Sequence, residues 1–291
     1  MNQKPEISAV VISFNGMKFL PDCLRTLVED LSELSHEIIV VDNGSVDGSV
    51  ECIRKSFAAV QIIENGRNLG FAGAVNIGLK AAQGEFVYLL NQDLRFRNGA
   101  TSSLLARLKE DSSIGMIGPK YVGFDGKLQL SARAFPRYRH VFYDALLLSR
   151  IFPQSRVFGS WRMGWFDHET ELFVDQPMGS VMLIPRSVIE KIGCLDESFP
   201  IFFNDVDYCR RMTQAGYRLL YYPKAVVEHF VGGSTRTMPV KMKLESHRSM
   251  YRYLRKYARW YEFPLLWLCS LLLWIGVMPA ALAASFRKKV T

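Results

Sequence analysis

Asn91 and Asp93 stand two residues apart at the end of the apolar run Phe86-Val87-Tyr88-Leu89-Leu90, with Gln92 between them. In an extended backbone, side chains two apart point the same way. Two hard oxygen donors on one side suit a divalent cation carrying substrate phosphates. An Asx turn closing a core strand is the competing explanation. A second acidic pair lies in Phe202-Phe203-Asn204-Asp205-Val206-Asp207-Tyr208-Cys209-Arg210-Arg211. If Asp205 opens a helix, its carboxylate meets the positive helix end, where anions are stabilised. A common N-cap accounts for one acid, but not for two acids beside two aromatics and two arginines. His229 follows Glu228 and precedes Gly232-Gly233-Ser234-Thr235-Arg236. A lone histidine is more often structural, whereas one followed by such a loop and a cation suits phosphate or metal binding.

The elements that position these residues are legible as an alternation. The run 86–90 has no strict polar alternation and reads as a strand covered on both faces, as in a parallel sheet. In open α/β sheets, ligands gather beyond the carboxyl ends of such strands. Ile7 to Phe14 reads as a first strand, stopping at the turn signal Asn15-Gly16. Leu20, Leu24, Leu27 and Leu31 have helical spacing. Ile38 to Val41 is a second strand, ending at Asp42-Asn43-Gly44-Ser45, followed by a helix over 49–57 and a strand over 60–63. The loop 65–73 leads into a helix ending near Gln83-Gly84. Its glycines at 66, 70 and 73 do not match GxGxxG and follow the third strand, which argues against a dinucleotide fingerprint. The expectation is right-handed βαβ units building a parallel sheet. Further along, 178–185 reads as a strand, 187–192 as a helix, and 217–222 and 225–227 as two strands.

Composition bounds the function. The 291 residues are 49% hydrophobic and 22% charged, enough for a substantial core, and the formal charge of +8 points to an anionic partner. Five scattered cysteines without a CxxC pair argue against a disulfide framework or zinc site and fit a reducing compartment. The opening apolar run is too short and wrongly flanked for a signal peptide, so a cytoplasmic location is expected. Between about Tyr121 and Gln176 regularity fades, and arginines mix with Phe, Tyr and Trp. Such mixing serves nucleic-acid stacking, an acceptor-binding insertion, or a loop-rich part of the core. No nucleic-acid module motif accompanies it, so no nucleic-acid partner is expected.

Taken together, these motifs resemble the inverting family 2 glycosyltransferases of the GT-A fold, over roughly residues 6–236. Val10-Val11-Ile12-Ser13-Phe14-Asn15 is similar to the family's first strand, and Val40-Val41-Asp42-Asn43-Gly44-Ser45 to its nucleotide-binding acid turn. Asn68-Leu69-Gly70-Phe71-Ala72-Gly73-Ala74-Val75-Asn76 is similar to the loop and helix that follow. Asn91-Gln92-Asp93 takes the place of the DxD metal motif, Phe203-Asn204-Asp205-Val206-Asp207 that of the catalytic acid segment, and His229 that of a late metal ligand. The rhamnosyltransferase-like branch that builds bacterial surface polysaccharides (O-antigen, cell wall) is the nearest in character.

The resemblance implies an α/β GT-A fold with a mostly parallel central sheet flanked by helices. It implies a catalytic domain over 1–238, with 121–176 as an acceptor-side insertion. The donor would be a nucleotide-diphosphate sugar, dTDP-rhamnose being favoured, and the acceptor a polyprenyl-diphosphate-linked glycan. Ser13, Asn15, Asp42, Asn68, Asn76 and Gln92 would bind the donor nucleotide. Asn91, Asp93 and His229 would hold Mg2+ or Mn2+, and Arg236 would bind the diphosphate. Asp205 would be the general base, with Asp207 second. Two departures stand out: Asn91 replaces the first acid of DxD, leaving one charge fewer on the metal, and Asn204 stands where the family often has an acid. A nucleotidyltransferase, or an inactive glycan-binding scaffold of the same fold, are the alternatives.

Residues 239–291 read as an appendage. Arg248, Arg252, Arg255 and Arg259 form one stripe at helical spacing, with Met250, Leu254, Tyr257 and Tyr261 opposite. A basic amphipathic helix beside an apolar segment reads as a membrane-surface element, an ordinary surface helix being the alternative. No charge appears from Phe263 to Phe286, but Pro264 and Pro279 bracket its strongest part, and Arg287-Lys288-Lys289 follows. Positive flanks on both sides disfavour a single crossing. The expectation is a peripheral or re-entrant anchor on the cytoplasmic face of the inner (plasma) membrane, with a transmembrane helix as the alternative.

Overall fold

The computed structural model describes residues 4–230 and 239–290, the latter with side chains from 241 to 276. Arg236 and the Gly-Gly-Ser-Thr loop before it lie outside the described residues.

The first half of the chain follows the alternation read from the sequence. Strand β1 (Ile7–Ser13) leads through α1 (Leu20–Asp30) to β2 (His36–Asp42), then α2 (Ser49–Ser56), β3 (Gln61–Glu64), α3 (Gly70–Ala81) and β4 (Phe86–Asn91). All four strands are parallel, in the order β3-β2-β1-β4. Both faces of β1 and β4 are buried, which explains why their sequences are continuous apolar runs. α1 buries Leu20, Leu24 and Leu27 at its helical spacing.

The second half departs from a purely parallel sheet. β5 (Leu94–Phe96), α4 (Ala100–Lys109) and the nine-residue β6 (Ile114–Val122) follow β4 directly. Short pieces come next: β7 (Leu128–Gln129), β8 (Ala132–Arg133), α5 (Tyr138–Ala145), α6 (Leu148–Ile151), β9 (Leu172–Phe173) and β10 (Gln176–Pro177). β11 (Val181–Pro185), α7 (Arg186–Ile192), α8 (Asn204–Gln214) and β12 (Arg218–His229) complete the α/β part. The sheet continues β4-β11-β6-β12-β5, with β11 antiparallel to both β4 and β6. β6 and β12 are parallel, and β5 closes the edge antiparallel to β12. The result is a mixed, mostly parallel α/β sheet. The two short strands expected over 217–227 are one strand, shifted in register between Tyr222 and Val226 around Pro223, a site where proline is tolerated within a sheet.

The chain divides into two compact units. The first comprises residues up to 133, 168–200 and 204–233; the second comprises 134–167, 201–203 and 234 onward. Residues 121–133 and 168–176 of the expected insertion therefore fall in the first unit, and 134–167 in the second. Within the second unit, α9 (Pro239–Lys256) and α10 (Phe263–Val290) pack on each other, and α10 also packs on α5. Met250 and Leu254 are buried as the amphipathic pattern requires, whereas Tyr261 is exposed. Arg259 lies beyond α9 and donates to the Tyr261 hydroxyl at 2.7 Å, so the arginine stripe on the helix is 248, 252 and 255. Pro264 sits in the first turn of α10, where its missing N–H costs nothing. Among the described residues no helix is long and apolar enough to cross a membrane.

Candidate active site

Register brings the candidate residues to one edge of the sheet. Ser13 pairs with Asp42, and Ile12 with Asn91, so β1, β2 and β4 all end at the same level. Beyond these carboxyl ends lie the groups singled out in the sequence. Asp42 is buried, and its Oδ2 accepts the backbone N–H groups of Gly44 and Ser45 at 3.0 and 2.9 Å. Its Oδ1 is buried without a hydrogen bond, as is the Ser13 hydroxyl beside it. Asn15 holds the loop after β1 against the loop after β2, accepting from Val46 N–H and donating its own N–H to Ser45 Oγ. Asn68 caps the entry of α3, accepting from Gly70 N–H and from Asn43 Nδ2.

Two of the expected nucleotide ligands have other employment. Gln92 turns back to β1, accepting from Phe14 N–H at 2.9 Å and donating to Phe14 O at 3.1 Å. Asn76 clasps α3 to the segment after α7, donating to Leu195 O and Glu197 Oε1 and accepting from Leu195 N–H. Both side-chain amides are thus held within the fold, Gln92 by the backbone of Phe14 and Asn76 by Leu195 and Glu197. Asp207 is likewise fully buried and receives the Arg211 guanidinium at 2.9 Å, and Arg211 in turn donates to the carbonyls of Ile192 and Cys194. That network ties α8 to the chain following α7.

The second cluster centres on His229, at the end of β12. Its Nε2 lies 3.7 Å from Asp93 Oδ1 and 3.3 Å from Ser180 Oγ, and its Nδ1 lies 3.0 Å from Gln129 Oε1. Burial lowers the imidazole pKa to about 4, so at neutral pH the ring is uncharged and the contact with Asp93 is no ion pair. A neutral ring facing an amide oxygen carries its proton on Nδ1 and leaves the Nε2 lone pair towards Ser180 and Asp93. Ser180 Oγ accepts from Asn91 Nδ2 at 3.3 Å, while Asn91 Oδ1 is buried without a hydrogen bond. Burial pushes the Asp93 carboxyl up to about 6. A carboxylate and an imidazole lone pair thus face each other, with the Asn91 side chain joined to His229 through Ser180.

Asp205 stands in the first turn of α8. Gln176 Nε2 donates to its Oδ2 at 2.7 Å and Val206 N–H to its Oδ1 at 2.9 Å, while burial raises its pKa above the ordinary carboxylate value. Gly179 presses against it: a Cβ there would lie 2.6 Å from Asp205 Cβ and 2.7 Å from Oδ2. The neighbouring residue, Ser180, touches Asn91 and His229. Two consecutive residues therefore join the acid of α8 to the cluster at the ends of β4 and β12.

Residues 8–171 match the family description "Glycosyl transferase family 2". The chain belongs to glycosyl transferase family 2. It is an enzyme of the GT-A type that transfers sugar from a nucleotide-sugar donor, which decides against a nucleotidyltransferase or an inactive scaffold. This transferase is 28% identical, over 79% of its length and 78% of the relative's, to the N-acetylglucosaminyl-diphospho-decaprenol L-rhamnosyltransferase of Mycobacterium tuberculosis. It is also 28% identical to the pre-mycofactocin glycosyltransferase of that organism, over 75% of this chain and 45% of the relative. The mannosyltransferase PcManGT from Pyrobaculum calidifontis, solved with GDP-Man and Mn2+, shares the fold. The TM-score is 0.59 at 18% identity, covering 97% of this chain and 76% of that one.

Sequence reasoning missed Gln129, Gln176, Gly179 and Ser180 in this transferase. The first two lie in the stretch without periodicity, and the last two directly precede β11 in a run whose sequence shows only a strand. A small-residue pair just before a buried strand was the one available signal for a close approach of another backbone or side chain.

Proposed function

We propose that this transferase moves L-rhamnose from dTDP-rhamnose to a polyprenyl-diphosphate-linked glycan during bacterial surface polysaccharide synthesis, at the cytoplasmic face of the inner membrane. The observation that carries the reading is the Gly179-Ser180 junction, which sets a half-buried acid beside a cation-suited cluster. The choice of sugar and acceptor rests on the mycobacterial rhamnosyltransferase relative.

In this reading residues 1–238 form the catalytic domain. The unpartnered Asp42 Oδ1 and Ser13 hydroxyl accept and donate hydrogen bonds to the nucleoside. Asn91, Asp93 and His229 fit a divalent cation, because they offer an orphaned amide oxygen, a carboxylate and an oriented imidazole lone pair. Mg2+ or Mn2+ bound there would supply positive charge to the leaving diphosphate. Asp205 takes the acceptor hydroxyl proton as that oxygen attacks the anomeric carbon and the bond to the diphosphate breaks, inverting the configuration. Gln176 and Gly179 hold the carboxylate in place. The exposed apolar side of α10 beside the arginines of α9 supports association with the membrane. Nucleotide release measured against a panel of dTDP-, UDP- and GDP-sugars tests the donor; release from dTDP-rhamnose is expected, and a preference for another donor overturns the choice of sugar.

A further inference from the structure

Between α9 and α10 lies a cavity of about 390 Å³ lined by Arg248, Tyr251, Arg252, Arg255 and Trp274, among others. The three arginines fall at i, i+4 and i+7 on α9 and so share one face. Glu245, 3.8 Å from Arg252, is the acid that offsets part of this charge. Among the described residues no ion pair joins Arg248 or Arg255 to a carboxylate, and both are exposed. His247 holds the two helices together by donating from Nδ1 to Leu273 O at 2.7 Å.

The outer side of α10 continues the site with opposite chemistry. Trp267, Leu271 and Trp274 recur at i, i+4 and i+7 and are 77%, 57% and 55% exposed. Trp274 belongs both to this stripe and to the cavity lining, so guanidinium forks and an apolar track meet at one residue. Planar guanidinium groups match phosphate oxygens in paired hydrogen bonds. A tryptophan carrying an apolar body and a polar N–H sits well at headgroup level. A soluble phosphate compound would leave the stripe in water, and a neutral lipid would leave the arginines without a counter-charge. A ligand with a phosphate head and hydrocarbon chains satisfies both.

We propose that the cavity between α9 and α10 is a built seat for the phosphate headgroup of an anionic membrane phospholipid. This rests on the membrane association proposed above and goes beyond it, because a seat recognises one headgroup through guanidinium geometry, where a diffuse basic surface responds only to charge.

Flotation of the full chain with vesicles tests the seat. The vesicles are phosphatidylcholine alone, or phosphatidylcholine with rising fractions of phosphatidylglycerol. Tighter binding to the anionic vesicles, by tenfold or more and saturating with phosphatidylglycerol content, is expected. Arg248→Lys with Arg255→Lys keeps the charge and removes the forks; it should abolish that gain while leaving the melting temperature and binding to neutral vesicles unchanged. If the pair fails to fold, the single exposed Arg255→Lys carries the same comparison. A lysine variant that keeps the whole gain overturns the seat and leaves the membrane reading standing. Saturable binding of inorganic phosphate to the free chain, with no gain on phosphatidylglycerol vesicles, assigns the cavity to a soluble phosphate compound and overturns the lipid. A wild-type chain that floats with neither vesicle overturns the membrane reading and the seat with it.

Discussion

At the scale of single residues, orientation matters as much as identity. His229 is neutral and donates from Nδ1 to Gln129, while Gln129 Nε2 returns a hydrogen bond to the His229 carbonyl at 2.6 Å. Gln129 thus decides which nitrogen faces Asp93. Gln129→Leu should weaken Mn2+ binding roughly 10–100-fold, the usual effect of removing such an outer partner, as read by calorimetric titration, with little change in melting temperature. Asp205 gives a second test. A carboxylate whose pKa is raised by folding stabilises the fold less when ionised; its favourable contribution is present at low pH and is lost as pH rises through the raised value. Asp205→Asn should therefore lower kcat by roughly 10²–10⁴-fold and yet match or exceed the wild-type melting temperature at neutral pH. That thermal advantage should shrink as pH falls, and the acid limb of wild-type kcat should lie above the range of an ordinary carboxylate. The positions of Asn91 and Asp93 at the end of β4, of Asp205 in the first turn of α8 and of His229 at the end of β12 were legible because strand ends and acidic pairs announce themselves. The partners of Gln92 and Asn76 were not legible, because an amide suits a nucleotide or a backbone equally and only the fold shows that Gln92 meets Phe14 and Asn76 meets Leu195 and Glu197.

At the scale of elements, the legible part is the part with local alternation. β1, β2 and β4 show as apolar runs, and the helices between them show as periodic leucines. β6 was not read as a strand because Gly115, Gly118 and Pro119 punctuate it like a turn. In the sheet, Gly115 admits the Tyr217 Cβ and Gly118 admits Pro177, each at a distance that a Cβ would close to under 3 Å. The reversal of β11 was invisible too, since strand direction depends on which distant strands it joins. Close packing is equally strict on α3. A Cβ at Gly78 would lie 2.2 Å from Val10 Cγ1 and 3.2 Å from Val41 Cγ2, and valine side chains cannot turn away easily. Gly78→Ala should cost about 1–3 kcal/mol of stability, as overpacking does, measured by urea unfolding.

At the scale of the whole molecule, the net charge of +8 and the exposed aromatics of the second unit point the same way. Trp260 is 80% exposed, and an apolar surface of this kind marks an interaction site. The full chain is expected in the membrane fraction of the expressing cells. A high-salt wash should not release it, because screening weakens the arginine attraction but leaves apolar burial intact. Recovery in the salt wash would show that charge alone holds it.

The pairing of β6 with β12 joins residues roughly a hundred positions apart, starting from Ile114 with Arg218. Its consequence is temporal. Strands β1, β2 and β3 pair across shorter separations, as Ile7 with His36 and Ile39 with Gln61, and can assemble early, whereas β12 adds contacts of longer separation whose closure entropy is larger. His229 reaches Asp93 only when that last strand docks. A chain emerging from the ribosome therefore completes the carboxyl ends of β1, β2 and β4 well before His229 joins Asp93 and Ser180, and on the proposed mechanism it would stay chemically silent until nearly all of the first unit has been made.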